Sequence, residues 1–356
     1  RGRRWGRAFE AVEPVVAQPF RPHGRYLVVG GLGRFGSELA EHLAVGYRAR
    51  LVLLSRTAPP REAVERLERA GAQVRHLAAD VTDVARLHQV RAEIMAAHGG
   101  LDGIVHAARL PETGLVATTR PAEAAAELAP KLAGALTLGA VFGDLPLDFV
   151  LLCSSVSAAA GGVGRMDDCA ANAFLTAHAR GENAWRTRPV ALDWGVWRGT
   201  GPADQDGLAP AEAFAALHRV LAAGLGPEVA VGAYPVAAVA EHERDVAARL
   251  ATGNGSVVDT SADLSTTVAR VWGEVLGVED VGAHDDFFHS GGTSLVAAQL
   301  VLRIRQAVGV RLSMRALFDA PTVATMVARI ERLRAAPVVA DAEAPIPRLQ
   351  RPGRRS

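Results

Sequence analysis

The sequence predicts an α/β fold, a doubly wound parallel sheet, followed by a small all-α four-helix domain. Two observations predict the first part. Short apolar runs that suit strands covered on both faces alternate with segments of helical length and period, and a glycine-rich turn joins the first strand to the first helix. A third predicts the second part: beyond residue 263 the strand-like runs stop and apolar residues recur at helical spacing alone.

The strand runs are YLVV (26–29), LVLL (51–54), VRHL (74–77), IVH (104–106), FVLL (149–152) and VALD (190–193). Between them, residues 37–45, 61–70, 84–97 and 122–141 have helical pattern. A strand-like VGAYPV (231–236) closes the series, and the Gly-, Ser-, Asp- and Asn-rich stretch 251–263 reads as flexible linker. In the last part Val268, Val271, Val275 and Leu276 share a face, as do Leu295, Ala298 and Leu302, and Val323, Met326, Val327 and Ile330. The expected boundaries are 1–25 for the end of a preceding structural or linker segment, 26–240 for the α/β domain and 241–262 for a flexible linker. The helical domain takes 263–334, and 335–356, with prolines and arginines but no period, is expected to be a linker or disordered tail.

Bulk properties exclude several classes. The 356 residues are 49% hydrophobic and 22% charged, as in globular proteins. A net charge of +1 gives no broad field for nucleic acid, and no uninterrupted apolar 18-mer suggests a membrane span. Two cysteines cannot build a disulfide framework and no signal peptide is evident, so a cytoplasmic location is expected. The Met-less opening RGRRWGRAFEAVEPVV reads as the continuation of a longer polypeptide. The eleven His are scattered and neither Cys has a partner at ligand spacing, so no metal site is expected. Ser154 and Ser155 lack the elbow glycines of a serine hydrolase. Of 39 basic residues only Lys131 is lysine, which marks its position.

VVGGLGRFG (28–36) has the context that a phosphate-binding loop needs, after a strand and opening a helix. Arg56 ends the second strand, AADVTD (78–83) the third and HAAR (106–109) the fourth, all on the edge where open α/β sheets bind ligands. With Lys131 in APKLAGAL, Ser155 in LLCSSVSA and Asn172 in CAANAF, this stretch resembles the ketoreductase domain of modular polyketide synthases. That domain is a Rossmann-like branch of the short-chain dehydrogenase/reductase family, and the likeness covers about residues 26–236. The resemblance implies an NADPH site made by Gly30, Gly31, Gly33, Gly36, Arg56, Asp80 and Val81, with Arg56 holding the 2′-phosphate. It implies that Lys131, Ser155, Asn172 and a tyrosine do the chemistry. That tyrosine lies 13 residues after the serine and 4 before the asparagine, and the residue there is Asp168.

A ketone reduced by hydride needs a proton donor at the developing alkoxide. A carboxyl with an ordinary pKa near about 3.9 is ionised at neutral pH and has no proton to give; its charge also opposes the oxyanion. Val29 replaces the family's Thr in the loop, Arg34 replaces a Gly, and Arg109 replaces the Gly after HAA. These departures predict a structural pseudo-ketoreductase and put NADPH binding in doubt. Against them stands Lys131 at the family's ammonium position. The alternatives are an active NADPH-dependent β-ketoacyl reductase in which water replaces the phenol, and a docking platform for neighbouring synthase domains. Trp194 and Trp197 fit either packing residues or the family's segment over the substrate cleft.

DDFFHSGGTSL (285–295) resembles the attachment site of acyl carrier domains, D-x-F-F-x-x-G-G-x-S-L, and the likeness extends over about 264–333. Taken alone, Ser294 also fits a helix N-cap. The resemblance implies that it carries 4′-phosphopantetheine, whose phosphodiester would meet helix N–H groups. Phe287 and Phe288 read as core residues. Together the two resemblances imply a fragment of a modular type I polyketide synthase. Its partners would be ketosynthase, acyltransferase, methyltransferase or dehydratase domains and a phosphopantetheinyl transferase, within a homodimeric parent.

Overall fold

The structure, a computed structural model, describes residues 9–12, 18–109, 121–162, 165–198, 207–252, 264–278, 281–290, 294–310, 312 and 314–335. The six strand-like runs form β1 (Arg25–Val29), β2 (Arg50–Ser55), β3 (Gln73–Ala78), β4 (Gly103–His106), β5 (Phe149–Ser155) and β6 (Val190–Trp194). A seventh strand, β7 (Glu228–Val231), ends where the expected VGAYPV strand begins. All pair in parallel in the order β3-β2-β1-β4-β5-β6-β7. The order reverses between β1 and β4, and the crevice outside the carboxyl ends there is where such sheets take ligands.

Alternation along each strand feeds two cores. Tyr26 and Val28 pack with Leu39 and Leu43 of α1 (Arg34–Tyr47), Leu67 of α2 (Arg61–Arg69) and Leu217 of α7 (Pro210–Ala222). Leu27 and Val29 pack on the other side with Leu87 and Ile94 of α3 (Val84–His98), Leu138 and Phe142 of α4 (Pro121–Phe142) and Leu175 of α6 (Met166–Arg180). Each fully buried side chain of this kind contributes about 1.5–3 kcal/mol relative to exposure. The Asp83 side chain caps α3 by accepting from the Arg86 N–H at 2.9 Å, and Gly99, at φ 71°, ends that helix in a left-handed conformation. By length and composition α4 is apolar enough to cross a membrane, but it packs against α6 and its inner residues belong to the second core.

Two expected boundaries move. Phe20 lies before the assigned start of the α/β domain, yet it is buried, with ring centroids 5.6 Å from Tyr26, 5.3 Å from Tyr47 and 5.5 Å from Phe149. Arg25 anchors the same end of the sheet by donating Nη2 to Asp102 Oδ1 at 2.6 Å and its backbone N–H to Oδ2 at 2.8 Å. Residues 241–252, expected as linker, belong instead to α8 (Val236–Thr252), which packs against α5 (Ser157–Ala160). Helix was the better local choice because the stretch is rich in Ala, Glu and Arg and carries no Gly or Pro until residue 253. Residues 253–263 and the tail 336–356 lie outside the described residues.

The helical domain consists of α9 (Leu264–Leu276), α10 (Ser294–Val308), α11 (Met314–Asp319) and α12 (Val323–Ala335). Its core joins Val268, Trp272, Phe287, Leu300, Ile304, Met326 and Ile330. Val275, Leu276 and Val327 are packed against it and partly buried.

Candidate functional site

The glycine-rich turn lies between β1 and α1. Gly30 has φ +79°, and a Cβ there would come within 2.7 Å of the backbone carbon of Ala107, so the turn sits directly on the segment after β4. A Cβ at Gly36 would lie 2.5 Å from the Gly30 carbonyl oxygen, which lets α1 start against the loop. Arg56 is exposed just beyond β2. Asp80, after β3, accepts from the Thr82 N–H at 2.9 Å and its hydroxyl at 2.7 Å; these bonds, with Arg56's charge, hold its carboxyl below the usual range despite partial burial. Val81 is buried against Gly134 of α4.

Lys131 follows Pro130 inside α4 and points into the sheet's carboxyl edge, where only 9% of its side chain is exposed. Its Nζ donates to Asp168 Oδ1 at 2.9 Å and to Asn172 Oδ1 at 2.6 Å. Asp168 and Asn172 stand one turn apart on α6, so both reach the same ammonium. Asn172 Nδ2 donates to Ser157 Oγ at 3.2 Å, and Ser157 Oγ donates to Asp168 Oδ2 at 3.2 Å. Arg165 Nη2 adds a bond to the same carboxylate oxygen at 3.2 Å. The four side chains of Lys131, Asp168, Ser157 and Asn172 thus close a ring.

The carboxylate in that ring is held ionised. Burial pushes the Asp168 carboxyl up, but the charge and hydrogen bond of Lys131, with the charges of Arg165 and Arg109, outweigh it, and the net shift is downward. His106, at the end of β4, is pushed down to about 4 by burial and by the charge of Lys131, and is neutral at pH 7. The site therefore holds an ammonium, a carboxylate and amide and hydroxyl dipoles, but no general acid at position 168.

The predicted residues divide accordingly. Lys131, Asp168 and Asn172 come together, and Arg109 lies close enough to act on Asp168. Ser155 does not join the ring. Its Oγ accepts from the Ser157 N–H at 3.2 Å as the strand turns into α5. Ser157 takes the place in the ring that the spacing assigned to Ser155; the only sequence signal was a third serine two residues on. Arg165 was legible as an (i, i+3) partner of Asp168 once α6 was in place.

In the helical domain, Asp286 Oδ1 accepts from the N–H groups of Phe288 at 2.9 Å and His289 at 3.1 Å, turning the chain after the DDFF run. Phe287 is fully buried and meets Trp272 edge-on at 5.5 Å. Phe288 is partly buried and stacks at 4.9 Å on Phe318, which is exposed. Ser294 is the first residue of α10, while Gly291 and Gly292 lie outside the described residues. Among the described residues no group of three or more His, Cys, Asp or Glu could hold a metal ion.

Comparison with known proteins matches residues 24–199 to the KR domain family and residues 266–330 to the phosphopantetheine attachment site family. The chain carries a ketoreductase-type domain and a carrier domain, and it is homologous to polyketide synthases. Over 67% of its length it is 33% identical to the phthioceranic/hydroxyphthioceranic acid synthase of Mycobacterium tuberculosis, covering 11% of that protein. Over 89% it is 31% identical to the spectinabilin polyketide synthase system protein NorB of Streptomyces orinoci, covering 17%. The chain thus spans less than a fifth of these two relatives. Among solved structures, the ketoreductase from the first module of phoslactomycin biosynthesis in Streptomyces sp. HK803 superposes with a TM-score of 0.57 at 30% identity, covering 63% of this chain and 56% of that one. A C2-type ketoreductase from a modular polyketide synthase gives 0.58 at 25% identity, covering 66% and 53%.

The ketoreductase-type domain does not fit the nicotinamide coenzyme of its family well. Its glycine turn and Arg56 are in place, but the ammonium is paired with the carboxylate of Asp168, and Arg34 stands in the first turn of α1.

Proposed function

We propose that the chain is a polyketide synthase segment in which the carrier domain tethers an acyl chain while the ketoreductase-type domain is a non-reducing scaffold. The observation that carries the second half is the ring around Asp168. A reductase must deliver a proton to the alkoxide as hydride arrives, and the group at the donor's place is a carboxylate held ionised by Lys131. Its negative charge also faces the position where the oxyanion would form, reversing the usual electrostatic stabilisation. The test is consumption of NADPH by the purified chain with a β-ketoacyl thioester; turnover above the no-enzyme rate would end the scaffold reading. An active reductase that uses water as the acid draws support from one observation, the hydrogen-bonded Lys131 and Asn172, and the same assay decides it.

For the carrier domain, the match over residues 266–330 and the position of Ser294 at the start of α10 support Ser294 as the attachment point. A phosphodiester there meets the N–H groups of the helix's first turn and the positive end of its dipole, worth about 0.3–1 kcal/mol. Treatment with a phosphopantetheinyl transferase and coenzyme A should add one phosphopantetheine mass to the peptide containing Ser294. The partners proposed are that transferase and neighbouring ketosynthase, acyltransferase, methyltransferase or dehydratase domains of a homodimeric cytoplasmic synthase.

A further inference from the structure

Residues 196–198, which follow β6, are tied back onto the glycine turn. The Arg198 N–H donates to the Leu208 carbonyl at 2.8 Å, and the Leu208 N–H donates to the Val196 carbonyl at 2.9 Å. Val196–Arg198 and Leu208 therefore lie side by side through a parallel bridge between Trp197 and Leu208. The bridge is packed: the buried Trp197 has ring centroids 5.3 Å from Trp194, 5.5 Å from Phe35 and 5.7 Å from Phe214. Phe35 follows Arg34 in the first turn of α1, and from that turn Arg34 Nη2 donates to the Arg198 carbonyl at 2.6 Å. Glu38, one turn on, lies 3.6 Å from Arg34 Nε and orients the guanidinium from the other side.

The strand order gives this bond its consequence. The ends of β4 and β5 lie between those of β1 and β6, so the first turn of α1 and the segment after β6 are opposite walls of the crevice. A dinucleotide with its diphosphate at the α1 N-terminus and its other end at Lys131 must pass between those walls. The guanidinium bridges that passage.

We infer that Arg34 and the Arg198 carbonyl form a clasp that closes the dinucleotide passage, so that the domain excludes the coenzyme independently of having lost its proton donor. The inference rests on the scaffold reading and deepens it, since one contact governs binding and Asp168 governs chemistry. An arginine beside a diphosphate site could instead serve as an anion ligand, and the two roles predict opposite signs for its removal.

The test is calorimetric titration of the whole chain with NADPH, for the natural sequence and for Arg34→Gly and Arg34→Gln. The clasp predicts no saturable binding to the natural chain up to millimolar NADPH, and a gain of at least tenfold in affinity in both variants. Amide exchange should rise at Val196–Arg198 and Leu208 in the variants while α3 and α4 stay protected, which shows that the domain is folded. Tight binding by the natural chain that weakens in the variants would overturn the clasp and make Arg34 a diphosphate ligand. Failure of both folded variants to bind would overturn it as well. NADPH oxidation is read in parallel: binding gained without oxidation supports clasp and scaffold together, whereas oxidation by the natural chain ends the scaffold reading through a different measurement.

Discussion

Replacing Asp168 by Asn would remove one charge from a buried pair and leave the shape of the site nearly unchanged. The Lys131 and Asp168 side chains are 9% and 10% exposed, so solvent screens little of their interaction. Removing one partner of such a pair costs about 3–5 kcal/mol, because the other charge is left buried without compensation. Asn172 still accepts from Lys131, and an asparagine at 168 still offers an oxygen, which places the expected loss near the lower figure, about 3 kcal/mol. For a domain of this size 1 kcal/mol moves the midpoint by about 2–4 °C, so the melting temperature should fall by about 6–12 °C. The assay is thermal and urea unfolding of the whole chain, with the carrier domain's transition as internal reference. The pH dependence supplies a second check. The Asp168 carboxyl titrates lower in the folded protein than in the unfolded chain, so its contribution is complete above the unfolded value near about 3.9 and is lost as pH falls through the folded value. The difference between the natural chain and the Asn variant should therefore be constant from pH 8 down to about 5 and shrink below about 4. A loss under about 1 kcal/mol at pH 7, or a difference that grows on acidification, would refute the assignment of the ring as a buried ion pair.

Three further outcomes are expected. Ser294→Ala should abolish the phosphopantetheine mass gain while the far-ultraviolet dichroism of the chain stays unchanged. Phe20→Ala should cost about 3–5 kcal/mol in urea unfolding, the figure for truncating a buried aromatic, because its ring contacts Tyr26, Tyr47 and Phe149; a loss under 1 kcal/mol would return residues 18–25 to a linker. His42 and His218 face each other with ring nitrogens 2.8 Å apart, and burial, then the neighbouring His218, lowers His42 to about 4. Since its folded value lies below its unfolded one, stability should be complete above about 6.5 and decline as pH drops towards 4, and histidine resonances followed by NMR should show His42 neutral at pH 6.

β1 to β6 were legible because each is a short, largely apolar run flanked by turn residues, a pattern that local sequence alone can carry, whereas β7 ends where the expected strand at 231–236 begins. Ser157, by contrast, was invisible: nothing in LLCSSVSA says which hydroxyl faces the ammonium until β5 ends and α5 begins. The identity of position 168 was readable from two offsets, but its closure by Arg165 and Ser157 needed the turn of α6 against the strand ends. The bond from Arg34 to Arg198 joins residues 164 positions apart and has no local signature. Phe20 fell outside the expected domain for a related reason, since its order rests on ring contacts that composition does not report, whereas helix over residues 241–252 was open to local composition.

The packing of α8 against α5 also limits how far α9 can lie from the α/β domain. With residues 241–252 taken up in helix, residues 253–263 are the chain left to span from Thr252 to Leu264, and eleven residues fully extended reach at most about 40 Å. The twenty-two residues of the expected linker 241–262 would have allowed about twice that. The first residue of α9 thus lies within a radius of the end of α8 comparable with one domain's diameter, which keeps the attachment helix close to the scaffold.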